Sequence, residues 1–343
     1  MHPLQQKLLD WYDQAARDLP WRTTRDPYAV WVSEVMLQQT RVETVIPYYE
    51  RFLARFPTPH ALADADEDTV LAHWSGLGYY RRARLLHAGV REVVAHYGGQ
   101  VPEDADARRA LPGVGRYTAG AIGSIAFDKP EPIVDGNVTR VLARLLRIDT
   151  PVGSTATTKR LWEEAARLVP PERPGDFNQA LMELGATLCT PRQPRCESCP
   201  LQRDCRAYVH GEVAALPVPK AKKAPVLMAL SAVVATSGRG TMRRVWLVKG
   251  DEALFGGLWG LPMSEGEPRE ALHEAGVQAR LQRDPVGEVE HLLTHRRLMV
   301  TVYRASGGRG EESKTRRLFS IADLDRVGVS TLTRKLLGTT LLR

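Results

Sequence analysis

All four cysteines of this 343-residue chain lie in one short segment, at Cys189, Cys196, Cys199 and Cys205, with six, two and five residues between them. A small secreted fold would spread its disulfides along the chain, so this clustering argues against such a framework. Four soft thiolates from a single segment suit zinc or an iron–sulfur cluster. Zinc sites more often show two short Cys pairs around a longer loop, whereas here only the middle pair is short, and the spacing favours iron–sulfur. Four thiolates on an oxidised four-iron core leave about two negative charges. Arg192, Arg195, Arg203 and Arg206 could offset that charge while also facing a phosphate backbone.

A chain of this length exceeds one ordinary hydrophobic core, so two domains are expected. With 43% hydrophobic and 25% charged residues, core material is available throughout. No run of eighteen apolar residues occurs, and Lys7, Asp10 and Asp13 interrupt the stretch where a secretion signal would need apolar residues. A soluble, cytoplasmic protein without a membrane partner is the expectation. The formal charge of +7 permits a polyanionic partner without demanding one. Its basic residues cluster at Arg81, Arg82 and Arg84, at Arg140, Arg144 and Arg147 on one helical face, and around the cysteines; each cluster alone reads as solvated surface.

Residues 1–211 show mostly helical periodicity and read as an all-α domain. Residues 212–225 are rich in Pro and Lys and read as a linker. Residues 226–343 carry β-rich runs at Val226–Thr236, Arg243–Val248 and Arg297–Arg304, with helical patterns at Arg269–Glu274 and Thr331–Leu337, and read as α+β.

Within the first domain, residues 110–121 (ALPGVGRYTAGA) set two glycines in a tight turn ahead of a helix. Backbone N–H groups there can approach a phosphate, although such a turn is often only a turn. Asp135 stands directly ahead of the helix bearing the second arginine cluster, where an N-cap is its commonest role. Glu34 lies in the apolar helix WVSEVMLQQT, beside Val30, Trp31 and Leu37. A carboxyl in such surroundings is held protonated and can act as an acid near neutral pH; a buried ion pair is the plainer reading.

The ordered set WVSEVMLQQTRVETV, WSGLGYYRRARLLH, LPGVGRYTAGAI, VDGNVTRVLARLL and the C-x6-C-x2-C-x5-C tail resembles the MutY-type adenine DNA glycosylases of the helix-hairpin-helix endonuclease III superfamily. The resemblance spans most of residues 8–205. It implies a [4Fe-4S] cluster on the loop 189–205. It also implies a monomer that acts on duplex DNA carrying adenine opposite 8-oxoguanine or guanine. Glu34 is then the acid that protonates adenine, and Asp135 stabilises the oxocarbenium-like sugar. Tyr117 and Asn137 support the site. Arg17, Arg22 and Gln179 line the adenine pocket, while Gln39 and Tyr79 fill the gap left by the everted base. Leu111, Gly113 and Gly115 form the DNA-binding hairpin. Lyase members carry a lysine nucleophile after the hairpin; here that position is Tyr117, which implies a monofunctional enzyme.

In the second domain, residues 243–263 resemble the MutT/Nudix-like domain attached to this family. Arg269–Gly276 echoes a Nudix metal-binding helix, but His273 replaces a glutamate, which argues against magnesium-dependent hydrolysis. Leu293, Thr294 and His295 match the segment that contacts oxidised guanine, with Leu293 in place of the usual aromatic and Thr294 in place of serine. Two alternatives stand beside this reading: an endonuclease III-like glycosylase/lyase, and a catalytically inactive protein that binds damaged DNA.

Overall fold

The computed structural model describes residues 1–220, 224–238, 242–250, 254–293 and 295–341. Its helices are α1 (Pro3–Ala15), α2 (Pro27–Leu37), α3 (Val42–Arg55), α4 (Pro59–Ala63), α5 (Glu67–Trp74), α6 (Arg81–Tyr97) and α7 (Ala105–Ala110), followed by α8 (Arg116–Phe127), α9 (Gly136–Leu145), α10 (Thr155–Leu168), α11 (Pro174–Thr187) and α12 (Arg206–Val209). Two compact units divide the chain. Met1–Ala63 joins Ala88–Lys222 in one, and Asp64–His87 joins Lys223–Arg343 in the other.

In the helical unit, α2 is buried along almost its whole length, from Tyr28 to Met36. An all-round apolar helix has no solvent face to present and takes a central position, here against α3 and α8. Asp26 caps its start, accepting from the N–H groups of Tyr28 and Ala29 at 3.1 and 3.3 Å, with Pro27 as first helical residue. Helix α11 packs on α1, α8 and α9. Glycines permit close approaches here: a Cβ at Gly120 would lie 2.4 Å from the Pro132 carbonyl, and one at Gly185 would lie 2.6 Å from Asn137 Cβ. The α7–α8 hairpin is held from within by Arg108, fully buried, which donates to the carbonyls of Ala119 and Pro102 at 3.3 and 3.2 Å and pairs with Glu131.

The stretch expected as a linker is hydrogen-bonded to the helical unit over its first half. Val152 N–H donates to the Val218 carbonyl at 2.9 Å, Arg144 Nε to the Leu216 carbonyl at 2.9 Å, and Arg147 pairs with Glu212.

The second unit takes in α5 and the start of α6, from the stretch read in sequence as part of the helical domain, together with an α+β part. Its strands are β1 (Val226–Ser237), β2 (Arg244–Lys249), β3 (Trp259–Gly260), β4 (Met263–Ser264), β5 (Gln278–Leu281), β6 (Gly287–Leu292), β7 (Arg296–Arg309) and β8 (Arg316–Ser320), with helices α13 (Pro268–Glu274) and α14 (Thr331–Leu341). The sheet order is β3-β2-β1-β7-β5, with β4 on β1, β6 on β7 and β8 on β2. Strands β1 and β7 pair in parallel from Val226↔Arg296 to Thr236↔Ser306, and the other pairings are antiparallel. Alternate residues of β1 serve two cores. Leu230, Ala232 and Val234 pack with Leu332 and Leu336 of α14, whereas Val233 and Ala235 pack with Ala271 and Leu272 of α13. Among the described residues, no helix is both long and apolar enough to cross a membrane.

Candidate functional site

Glu34, Tyr117, Asp135, Asn137, Arg17, Arg22, Gln179 and Gln39 all line one cavity of about 410 Å³ in the helical unit. Helix α2 delivers Glu34 to its floor, 4% exposed. Tyr117, in the first turn of α8, donates its hydroxyl proton to Glu34 Oε2 at 2.6 Å. Burial pushes the Glu34 carboxyl up to about 7; the Asp135 charge adds to this, and Tyr117 and Arg22 oppose it. The Tyr117 hydroxyl is raised well above its ordinary value by burial and by the two nearby acids.

Asp135 is the N-cap of α9. Its Oδ1 accepts from Val138 N–H at 2.7 Å and its Oδ2 from Asn137 Nδ2 at 3.1 Å. Burial raises its pKa, opposed by those donors and by the Arg140 charge. The residue that fills the plain N-cap role therefore also lines the cavity. At the cavity mouth Gln39 is exposed and in the left-handed region at φ 58°, just beyond the end of α2. Tyr79 is left-handed as well, at φ 48°, and 47% exposed. It belongs to the second unit, and the residues lining this cavity do not include it.

Among the lining residues not anticipated from sequence, Glu183 and Trp21 shape the pocket. Glu183 of α11, buried, accepts from Arg17 Nε at 2.6 Å, Arg17 Nη2 at 2.9 Å and Arg22 Nη2 at 2.7 Å. Burial pushes this carboxyl up, but the hydrogen bonds from Arg17 and Arg22 outweigh it and hold its pKa below the ordinary value. Trp21, buried beside Arg22, adds an aromatic wall and packs edge-on against Tyr49. The i, i+4 spacing of Gln179 and Glu183 on one helix was the available signal.

The hairpin turn runs from Leu111, buried, through Gly113 at φ 75° to Gly115, the N-cap of α8. Gly115 has no side-chain cap, and a Cβ there would meet nothing within 4 Å. The start of α8 thus has room beside Gly115 and no side chain capping its first amides, two features of an anion-binding helix start.

The four cysteines are free and line a second cavity. Burial pushes the thiols of Cys196, Cys199 and Cys205 up, that of Cys199 to about 11. Among the described residues, no three His, Cys, Asp or Glu side chains converge closely enough to hold a single metal ion. Of the expected loop arginines Arg195 lines this cavity, but the arginine that donates to a cysteine sulfur is Arg144. Arg144, 2% exposed, donates to Cys189 Sγ at 3.3 Å and to the Thr190 and Pro191 carbonyls at 2.8 and 3.3 Å. A solvated arginine face on α9 therefore does not form. Arg144 is taken inward because loop carbonyls saturate its guanidinium, and Arg140 donates to Cys189 O, Gly185 O and Asn137 Oδ1 at 2.7, 2.8 and 2.9 Å. Only Arg147 stays exposed.

In the second unit, Leu293 and His295 occupy the tight connection between β6 and β7, and Thr294 lies outside the described residues. Leu293 packs against its own domain's core while His295 is exposed. The apolar side chain that projects there is Leu292, 66% exposed. On α13, Glu270, His273 and Glu274 are all exposed.

Residues 32–167 match the HhH-GPD superfamily base excision DNA repair proteins, and residues 238–339 match the NUDIX domain. The mouse adenine DNA glycosylase is 42% identical over an alignment covering 86% of this chain and 69% of the mouse protein. Its human counterpart is 40% identical over 86% of this chain and 65% of the human protein. A thermostable thymine-DNA glycosylase structure superposes with a TM-score of 0.54 at 33% identity, covering 60% of this chain and 95% of that one. A helical HhH-GPD domain built around a two-carboxylate cavity, joined to a Nudix-like domain, together with these matches, makes the chain a member of the adenine DNA glycosylase family.

Proposed function

We propose that the protein is a cytoplasmic, DNA-associated monomer, a monofunctional glycosylase that hydrolyses the N-glycosidic bond of adenine opposite 8-oxoguanine or guanine in duplex DNA. The observation that carries this reading is the meeting of Glu34 and Asp135 in one cavity, one carboxyl pushed up to about 7 and the other raised by burial but bonded to donors that oppose that rise. The first is suited to give a proton to the leaving purine, and the second to face positive charge developing on the sugar. Arg17, Arg22 and Gln179 offer hydrogen bonds to the purine edge, and Trp21 a flat apolar wall. Gln39 and Tyr79 are assigned to the gap in the duplex, the turn at Leu111, Gly113 and Gly115 to a phosphate, and Leu293, Thr294 and His295 to the oxidised guanine.

Cys189, Cys196, Cys199 and Cys205 are assigned to a [4Fe-4S] cluster. The donor set fits: four free thiols line one cavity, and a cluster of this kind is held by four cysteine thiolates. Bound there, the cluster would brace the loop against Arg144 and Arg140.

The test is a single-turnover assay on duplexes with adenine opposite 8-oxoguanine, guanine or thymine. Adenine release fastest opposite 8-oxoguanine, with no borohydride-trapped adduct, is the expected result. A trapped Schiff base would establish a lyase instead, and binding without release would establish an inactive damage-binding protein. The purified protein should be brown, and a colourless one would remove the cluster.

A further inference from the structure

Met182, on the inner face of α11, lines the same cavity as Glu34 and is only half-buried. Its sulfur lies 3.3 Å from the Tyr117 hydroxyl, the group that donates to Glu34 Oε2 at 2.6 Å. That hydroxyl has one proton to give, and a thioether is a weak acceptor, so the carboxyl takes it. A sulfoxide oxygen at Met182 would reverse the contest, because it is a strong acceptor already within reach of the same hydroxyl.

We propose that Met182 is a peroxide-reactive modification site whose sulfoxide draws the Tyr117 hydroxyl away from Glu34 and so suppresses base release. The step balances with a peroxide as oxidant. The sulfur lone pair attacks one peroxide oxygen, the O–O bond breaks as the S–O bond forms, and the second oxygen leaves as water with the two protons. Sulfur is oxidised to the sulfoxide and peroxide is reduced. Accessibility selects the residue: the cavity opens beside Met182, whereas Met36, behind Glu34 on α2, is wholly buried. Met242 is 79% exposed in the second unit and will oxidise without touching this cavity. The groups that act on the Glu34 carboxyl are Tyr117 from α8, Asp135 from the start of α9 and Arg22 from the turn after α1. Only the first is displaced.

The functional consequence rests on the glycosylase reading, and the experiment separates the two. The full-length, cluster-loaded protein is treated with hydrogen peroxide, its methionines are mapped by peptide mass spectrometry, and single-turnover adenine release is followed across pH. Oxidation at Met182 should lower the rate by roughly tenfold or more and move the alkaline fall of the profile to higher pH. Methionine sulfoxide reductase should restore both. Met182→Leu should keep most of its own untreated rate under the same exposure, and Met182→Gln, which places a permanent amide acceptor there, should resemble the oxidised parent. Three results would overturn the proposal: Met182 unmodified while Met242 is oxidised, Met182 oxidised at an undiminished rate, or an equal loss in Met182→Leu. If the untreated protein releases no adenine, the glycosylase reading fails by itself, while the mass spectra still report whether Met182 reacts.

Discussion

Tyr117 and Glu34, 83 positions apart, share a 2.6 Å hydrogen bond in which the phenol donates and the carboxyl accepts. Because burial dominates the carboxyl's energetics, this bond moderates a group that still sits near 7. Removing the donor should therefore raise that value. Tyr117→Phe is expected to slow adenine release and to shift the alkaline limb of the pH–rate profile upward, measurable by single-turnover kinetics between pH 5 and 9. A limb that stayed in place would mean the bond does not set the acid.

Glu34→Gln should reduce base release by about a hundredfold or more, since amides cannot supply the proton. The same change should stabilise the fold at alkaline pH. Between 4.5 and about 7 the folded chain retains a proton that the unfolded chain has released, so stability declines as pH rises through that window. The difference between 7 and 4.5 corresponds to on the order of 3 kcal/mol. Thermal denaturation at pH 8 should show the variant above the parent, with the gap shrinking as pH falls toward 4.5.

Glu183 behaves with the opposite sign. Its folded-state pKa is depressed, so its contribution is in place above 4.5 and is lost as pH drops through the lowered value. Glu183→Ala leaves Arg22, mostly buried, and Arg17, about a third exposed, without their shared acceptor and should cost about 1–3 kcal/mol at pH 7. Urea titrations at pH 7 and pH 3.5 read this directly, and a gap that failed to narrow in acid would contradict it.

Gly185→Ala should act on Asn137. The added methyl would stand 2.6 Å from Asn137 Cβ and 3.1 Å from its carbonyl oxygen, and Arg140 already bonds to both Gly185 and Asn137. About 1–3 kcal/mol of stability should be lost to overpacking. Base release should fall further than DNA affinity does, as a filter-binding and single-turnover comparison would show.

The parts of the molecule that could be read in advance were those with local signatures. The glycine turn ahead of α8, the acid ahead of α9 and the apolar run of α2 each declare themselves within a few residues, and β1 and β7 announce their strands by composition. What escaped was set by distant partners. Arg144 looks like a surface residue until the Leu216, Thr190 and Pro191 carbonyls are brought to it. Glu183 acquires meaning only when α11 lies against the turn holding Arg22. Gly185 carries no pattern at all, because its requirement is the absence of a side chain at a crossing with α9. The docking of 212–218 was hidden for the same reason: a proline-rich composition reports weak periodicity, not what the backbone bonds to.

Asp135 begins a helix as well as facing the cavity. Its carboxylate is locked by Val138 N–H and the Asn137 amide before any DNA arrives, at the end of α9 where aligned peptide dipoles favour negative charge. On the proposed glycosylase reading, the counter-charge for a cationic sugar is installed when the chain folds and has no rotamer left to search when the nucleotide enters. Turnover then spends none of its barrier on reorienting that group, and the sugar must come to the acid.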